Sequence, residues 1–127
     1  MGLFGNLFKS EEGKQSEEKN GFQWNQLTSE AQLQDLEEES QTAPVVIFKH
    51  STRCGISRMV LKQFESKHNS SEDVAKFYFL DLLNYRPLSQ AIAARYQVVH
   101  ESPQLILLKS AKVMQHASHH DILNVSL

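Results

Sequence analysis

Cys54 is the one cysteine in a chain of 127 residues, and its neighbours give it a reason to react. It stands where the apolar run Pro44-Val45-Val46-Ile47-Phe48 gives way, through Lys49-His50-Ser51-Thr52-Arg53, to the helical pattern Gly55-Ile56-Ser57-Arg58-Met59-Val60. The thiolate is the nucleophile in sulfur chemistry. Helix-start N–H groups and nearby cations favour it, taking cysteine pKa values from about 8.5 into the range of roughly 3.5–7.5. Arg53 precedes the thiol, Arg58 follows within one turn, and Lys49 and His50 lie just upstream. A cysteine kept for packing belongs in the apolar run itself. This one is placed for chemistry.

The histidines offer less. His116, His119 and His120 fall close together, but no partner cysteine or spaced carboxylate pair completes a metal-ligand pattern. No metal site is expected there. His50 is near enough in sequence to tune the thiol, with an orientation that the sequence does not set.

The elements that must position Cys54 follow from periodicity. Phe22-Gln23-Trp24-Asn25-Gln26-Leu27 alternates like a strand. Ser29 with Gln32 has the spacing of a capping box, and Ala31, Leu33 and Leu36 carry a helix to about Ser40. Val45 to Phe48 is a β-branched apolar run suited to a central strand covered on both faces. Met59, Val60 and Phe64 predict a helix from Cys54 to about His68, broken at Asn69-Ser70-Ser71, before a strand over Val74 to Leu80. Pro87 suits a helix's first turn, continued by Leu88, Ala91, Ile92 and Tyr96. Leu105 to Leu108 and Val113-Met114 read as strands joined by a tight turn over Lys109 to Lys112, and Ser118 as the cap of a last helix bearing Ile122, Leu123 and Val125. The order strand-helix-strand-helix-strand-helix-strand-strand-helix implies βαβ units closed by an antiparallel hairpin, an α/β fold with a small sheet covered by helices.

Composition narrows the function classes. The net charge of −2 argues against nucleic-acid binding, which calls for a basic excess. A lone cysteine excludes an internally disulfide-stapled scaffold. No apolar stretch has the length of a transmembrane helix, so no membrane partner is expected. The N-terminal residues lack a signal-peptide pattern, which makes the expected location cytoplasmic. Ser10 to Asn20 is rich in Glu, Lys, Ser and Gln, so residues 1–20 read as a flexible tail and 21–127 as one domain.

A strand, a short loop, Cys-x-x-Ser at a helix start and a proline before a later strand together resemble the thioredoxin superfamily. The match narrows further. Val46 to Ser57, Asp81-Leu82-Leu83-Asn84-Tyr85-Arg86-Pro87 and His100-Glu101-Ser102-Pro103-Gln104 are similar to the monothiol bacilliredoxins of the YtxJ type. With Trp24 and Leu27-Thr28-Ser29, the resemblance runs from about Phe22 onward. It implies a thioredoxin-like fold with a mixed βαβαβαββα sheet, and an enzyme that removes bacillithiol from protein mixed disulfides onto its own cysteine. Cys54 is then the nucleophile, and Pro103 a cis-proline beside it, with the Ser102 backbone facing the sulfur. Ser57 occupies the place of a resolving cysteine, so a mixed disulfide on Cys54 must be resolved by another thiol. Arg53 first, then Lys49 and Arg58, suit the malate carboxylates of bacillithiol. The implied partners are bacillithiolated proteins and bacillithiol or another external thiol as reductant. Bacillithiol is a co-substrate, and no permanently bound cofactor is implied.

Two rivals stay open, and Gly55, which departs from the commoner proline of that family, bears on the first. Cys54-Gly55-Ile56-Ser57 differs by one residue from the Cys-Gly-Phe-Ser of monothiol glutaredoxins, which carry an iron–sulfur cluster. Against this, no Gly-Gly pair precedes the last helix. The other rival is a thioredoxin-like interaction module without turnover.

Overall fold

The computed structural model describes residues 22–68 and 75–127. The expected tail, the break at Asn69-Ser70-Ser71 and the strand start at Val74 lie outside the described residues. In chain order the elements are β1 (Asn25–Gln26), α1 (Ala31–Glu39), β2 (Val45–His50), α2 (Gly55–His68), β3 (Lys76–Asp81), α3 (Arg86–Tyr96), β4 (Gln104–Lys109) and β5 (Lys112–Ser118). A short 3-10 helix, His119–Asn124, follows. The five strands form one mixed sheet in the order β1-β3-β2-β4-β5. Strands β1 and β2 run parallel to β3, while β4 is antiparallel to β2 and to β5.

Strand β2 is buried along its whole length, which is why its sequence is a continuous apolar run rather than an alternating one. Its pleat sends Val45 and Ile47 into a core shared with Leu33, Leu36, Leu88 and Ile92, under α1 and α3. Val46 and Phe48 point the other way, into a core with Val60 and Phe64 of α2. This second core seats the helix that follows Cys54.

Local signals set the element ends. Gln32 Oε1 accepts the N–H groups of Thr28, at 2.6 Å, and Ser29, at 3.0 Å. The glutamine half of the capping box therefore forms. The Ser29 hydroxyl makes no cap bond; its carbonyl accepts the Gln32 N–H instead, at 3.2 Å. Gln97, at φ 57°, closes α3 in the left-handed conformation. The β4–β5 turn has Ser110 and Ala111 at φ 54° and 63°, the double left-handed geometry that matches strand twist in a two-residue hairpin. Ser40, buried at the end of α1, holds this turn: its carbonyl accepts the Ser110 N–H and its Oγ the Ala111 N–H, each at 2.7 Å.

Two expectations need correction. The strand predicted over Phe22 to Leu27 is only Asn25–Gln26, because Phe22 and Trp24 join an aromatic cluster instead of extending the ladder. The last helix is a 3-10 helix without a side-chain cap. Ser118 ends β5 in extended conformation and donates its hydroxyl to Glu101.

Phe64 is the hub of that cluster. Its ring lies 6.0 Å from Phe22 and Trp24, 5.6 Å from Phe48 and 6.1 Å from Phe77, centroid to centroid. Trp24 also ties to α2 through Nε1, which donates to Glu65 at 2.7 Å. Phe64→Ala should lower the unfolding free energy by about 3–5 kcal/mol, the usual range for an emptied aromatic core site. Urea denaturation followed by Trp24 fluorescence measures this, and a loss under about 1 kcal/mol would show that the ring does not seat α2.

Candidate active site

Cys54 caps α2. Its carbonyl accepts the Arg58 N–H at 3.1 Å, the first bond of the helix, and its own N–H donates to Ser51 O at 3.2 Å. The sulfur therefore leaves the chain at the positive end of the helix, on a half-buried residue. Arg58 folds back over the same turn: Nη1 donates to Thr52 O at 2.9 Å, and Nη2 lies 3.9 Å from where a Cβ on Gly55 would stand. That is ordinary contact, so space does not require glycine after the cysteine. Arg53 is exposed and makes no hydrogen bond or ion pair among the described residues.

Ser57, one helical turn on, is not a solvated hydroxyl. It is fully buried, accepts the Ser51 N–H at 3.2 Å and is bonded to His50 Nδ1 at 2.8 Å. Burial pushes the His50 imidazole below its ordinary value; Asp81 opposes that shift and Arg58 adds to it. The ring is therefore neutral at neutral pH. The sequence left the orientation of His50 open, but the signal was present. Alternation from Val46 and Phe48 places residue 50 on the α2 side of β2.

The same alternation corrects the expectation for Lys49. It does not join a cation cluster around the thiol. Its side chain is fully buried on the opposite face, where Nζ donates to Ser89 O at 3.2 Å and lies 3.4 Å from His100 Nδ1. Burial lowers its pKa to about 8. The contact of buried Lys49 and Ser89 with the exposed His100 carried no sequence signal, because its members come from three separate segments.

The Ser102–Pro103 peptide is cis. Gln104 pairs with Lys49 across β4 and β2, which brings this peptide to the end of the sheet where β2 runs into the Cys54 turn. Pro103 O accepts the His119 N–H at 3.0 Å. Ser102 Oγ is buried without a hydrogen-bond partner. Among the described residues, no group of three or more His, Cys, Asp or Glu side chains is placed to hold a metal ion. No described helix is long and apolar enough to cross a membrane.

A lone half-buried cysteine capping the helix after a central strand, with a cis-proline entering the neighbouring strand at the same end of the sheet, defines a thiol oxidoreductase of the thioredoxin fold. Solved structures agree on the fold. One described as having a thioredoxin fold is 30% identical, with a TM-score of 0.69, covering 78% of this chain and 86% of that one. Thioredoxin from Malassezia sympodialis is 19% identical, with a TM-score of 0.63, covering 78% and 81%. Thioredoxin from Trypanosoma brucei brucei is 18% identical, with a TM-score of 0.63, covering 78% and 80%. Within that class the chain belongs to the monothiol bacilliredoxin family, BrxC, which it matches over residues 25–127.

Lys49 yields a test of the correction above. Its folded-state pKa is lowered from 10.5 to about 8. As pH falls through that window the unfolded chain binds the proton first, so stability is lost and stays lowest below it. Lys49→Met should stabilise the fold at neutral pH by about 1–3 kcal/mol, and the gain should shrink as the pH rises above about 8. Urea midpoints across that range check both the sign and the trend.

Proposed function

We propose that this protein removes bacillithiol from protein mixed disulfides in the cytoplasm, using Cys54 as its nucleophile. The Cys54 thiolate attacks the bacillithiol sulfur of a client mixed disulfide. The client's cysteine leaves as thiolate with the electron pair, and bacillithiol is carried on Cys54. An external thiolate then attacks the bacillithiol sulfur, a new disulfide joins bacillithiol to that thiol, and Cys54 leaves as thiolate. The observation that carries this reading is the buried Ser57 hydroxyl, held by His50 and Ser51, where a second thiol would have to stand. Attack on the client's own sulfur would trap the client on Cys54, with no neighbouring thiol to free it.

The exposed guanidinium of Arg53 and that of Arg58 flank the turn and suit the two carboxylates of the malate group. The Ser102 backbone beside the cis-proline offers pairing to an extended client segment. Bacillithiol enters as co-substrate, with no permanently bound cofactor; bacillithiolated proteins and an external thiol are the partners.

Intact-mass measurement after incubation with oxidised bacillithiol or oxidised glutathione tests the first transfer. Wild type should gain one bacillithiol, faster than one glutathione, and Cys54→Ala should gain neither. An equal or greater preference for glutathione would overturn the bacillithiol assignment. A brown colour after anaerobic reconstitution with iron, sulfide and a small thiol would favour the iron–sulfur alternative instead.

A second variant tests the one-thiol route. Ser57→Cys puts a thiol one helical turn from Cys54, within disulfide reach. After loading with bacillithiol it should release it without added thiol and lose the mass of two hydrogens. Persistence of the loaded form would show that position 57 cannot resolve Cys54.

A further inference from the structure

The reactions above use the Ser102–Pro103 peptide only for its backbone. Beside it, the segment that follows α3, strand β5 and the 3-10 helix enclose an open cavity of about 590 Å³. Glu101 and Gln104, the residues that flank the cis peptide, both line it. So do Ser118 and Asp121, on either side of His119, whose N–H is bonded to Pro103 O. The cavity is built around the cis peptide itself.

Its walls are one-sided in charge. Glu101 and Asp121 bring two carboxylates, His116 is the remaining titratable group, and no lysine or arginine lines the cavity. Glu101 accepts the Ser118 hydroxyl on Oε1. Its Oε2 and the Asp121 carboxylate have no partner among the described residues. Exposed carboxylates are by themselves satisfied by water. Gln104 is not so placed. It is 2% exposed, and its Nε2 donates to Val99 O at 2.8 Å, which turns Oε1 the other way. That oxygen is buried with no hydrogen-bond partner. An acceptor withdrawn from water and left unpaired costs free energy until a donor reaches it. Val99, 82% exposed, adds an apolar wall to the same cavity.

A long basic side chain answers each of these features. Its apolar stem can lie along Val99, and its cationic head carries several N–H donors for Glu101, Asp121 and Gln104 Oε1. We propose that the cavity receives an arginine or lysine side chain of the client, from a residue near the modified cysteine, and so selects clients whose cysteine lies in a basic stretch. This deepens the function proposed above and rests on its reading of Cys54 as nucleophile and of Ser102 as the pairing site for an extended client segment. Successive residues of such a segment point to opposite sides, so only certain positions around the cysteine reach the cavity. The reactive end of the sheet is then divided by charge, with Arg53 and Arg58 at the Cys54 turn and the two carboxylates beside the cis peptide. A mixed disulfide between an anionic small thiol and a basic client matches that division in one orientation.

The test uses short peptides with one cysteine, held as a mixed disulfide with an aromatic thiol, so that bacillithiol is absent from the readout. Cys54 attacks the peptide sulfur and becomes joined to the peptide. The aromatic thiolate leaves with the electron pair and is read by its colour. Arginine, or its neutral isostere citrulline, is placed at successive positions on either side of the cysteine. Where the residue reaches the cavity, arginine should react about tenfold faster than citrulline at low salt, the effect of one charge-assisted contact. Added salt should shrink that ratio, because Glu101 and Asp121 are exposed. The ratio should fall towards one when Glu101→Gln and Asp121→Asn are combined, and should fall in Gln104→Met, which takes away the unpaired oxygen. Equal rates for arginine and citrulline at every position would overturn the proposal. So would a ratio unchanged by the paired carboxylate substitutions or by a folded Gln104→Met. If Gln104→Met does not fold, the carboxylate variant decides alone. Failure of oxidised bacillithiol to load Cys54, with the arginine preference present, would remove bacillithiol from the function proposed above and leave this site standing. Normal loading without the preference would do the reverse.

Discussion

Strand β2 runs from Val45 to His50 without an exposed residue, and its pleat divides the molecule into two sides that share no side chain of that strand. On one side it packs against α1 and α3, on the other against α2. Because both faces are occupied, the strand has no freedom to slip by a residue; such a slip would exchange the two cores wholesale. Everything chemical hangs from the point where this strand ends. Lys49 and His50 are neighbours in sequence and are separated by the full thickness of the sheet. One is a buried cation on the α3 side, bonded to Ser89, and the other is bonded to Ser57 of the helix that begins after Cys54.

The reactive turn is held from several directions at once. The Arg58 guanidinium and the Ser57 hydroxyl both bond the segment from Ser51 to Thr52, and the first helical bond closes on Cys54 itself. The antiparallel register of β4 brings the Ser102–Pro103 peptide to the same end of the sheet. The opposite end is tied separately, by Ser40 gripping the β4–β5 turn. The face remote from the thiol has its own clamp, where Glu37 of α1 bonds Arg95 and Tyr96 of α3. Surface pairs of this kind contribute little to stability individually, and the hydrophobic cores carry most of it.

Much of this was legible in the sequence, for identifiable reasons. The continuous apolar run at Val45 to Phe48 announced a doubly covered strand, and the switch of period after Cys54 announced the helix it caps. Pro87, the β4–β5 hairpin and the element order were legible from turn and helix-start chemistry. What failed were inferences that treat a side chain in isolation. Lys49 looked like a solvated cation because lysine usually is. Its burial follows from the strand's alternation, which the apolar run had already fixed. The strand at Phe22 was overextended because aromatic packing around Phe64 outweighed two more ladder bonds. The last helix was overcalled because apolar spacing over so few residues does not separate a 3-10 helix from an α-helix. The His50–Ser57 bond joins two elements, and no single-segment pattern encodes it.

The hydroxyl at position 57 has one more consequence, a matter of timing. A chain with two thiols in this turn clears its own adduct by an internal step, at a rate fixed by its own geometry. With the second position occupied by a buried serine, any adduct on Cys54 ends only in an encounter with a thiol from solution. The lifetime of that adduct is thus inversely proportional to the concentration of free thiol around it. Under the function proposed above, the clock of the cycle sits outside the protein, and at a fixed rate of loading the share of molecules carrying an adduct is a running gauge of the reducing capacity in which they are dissolved.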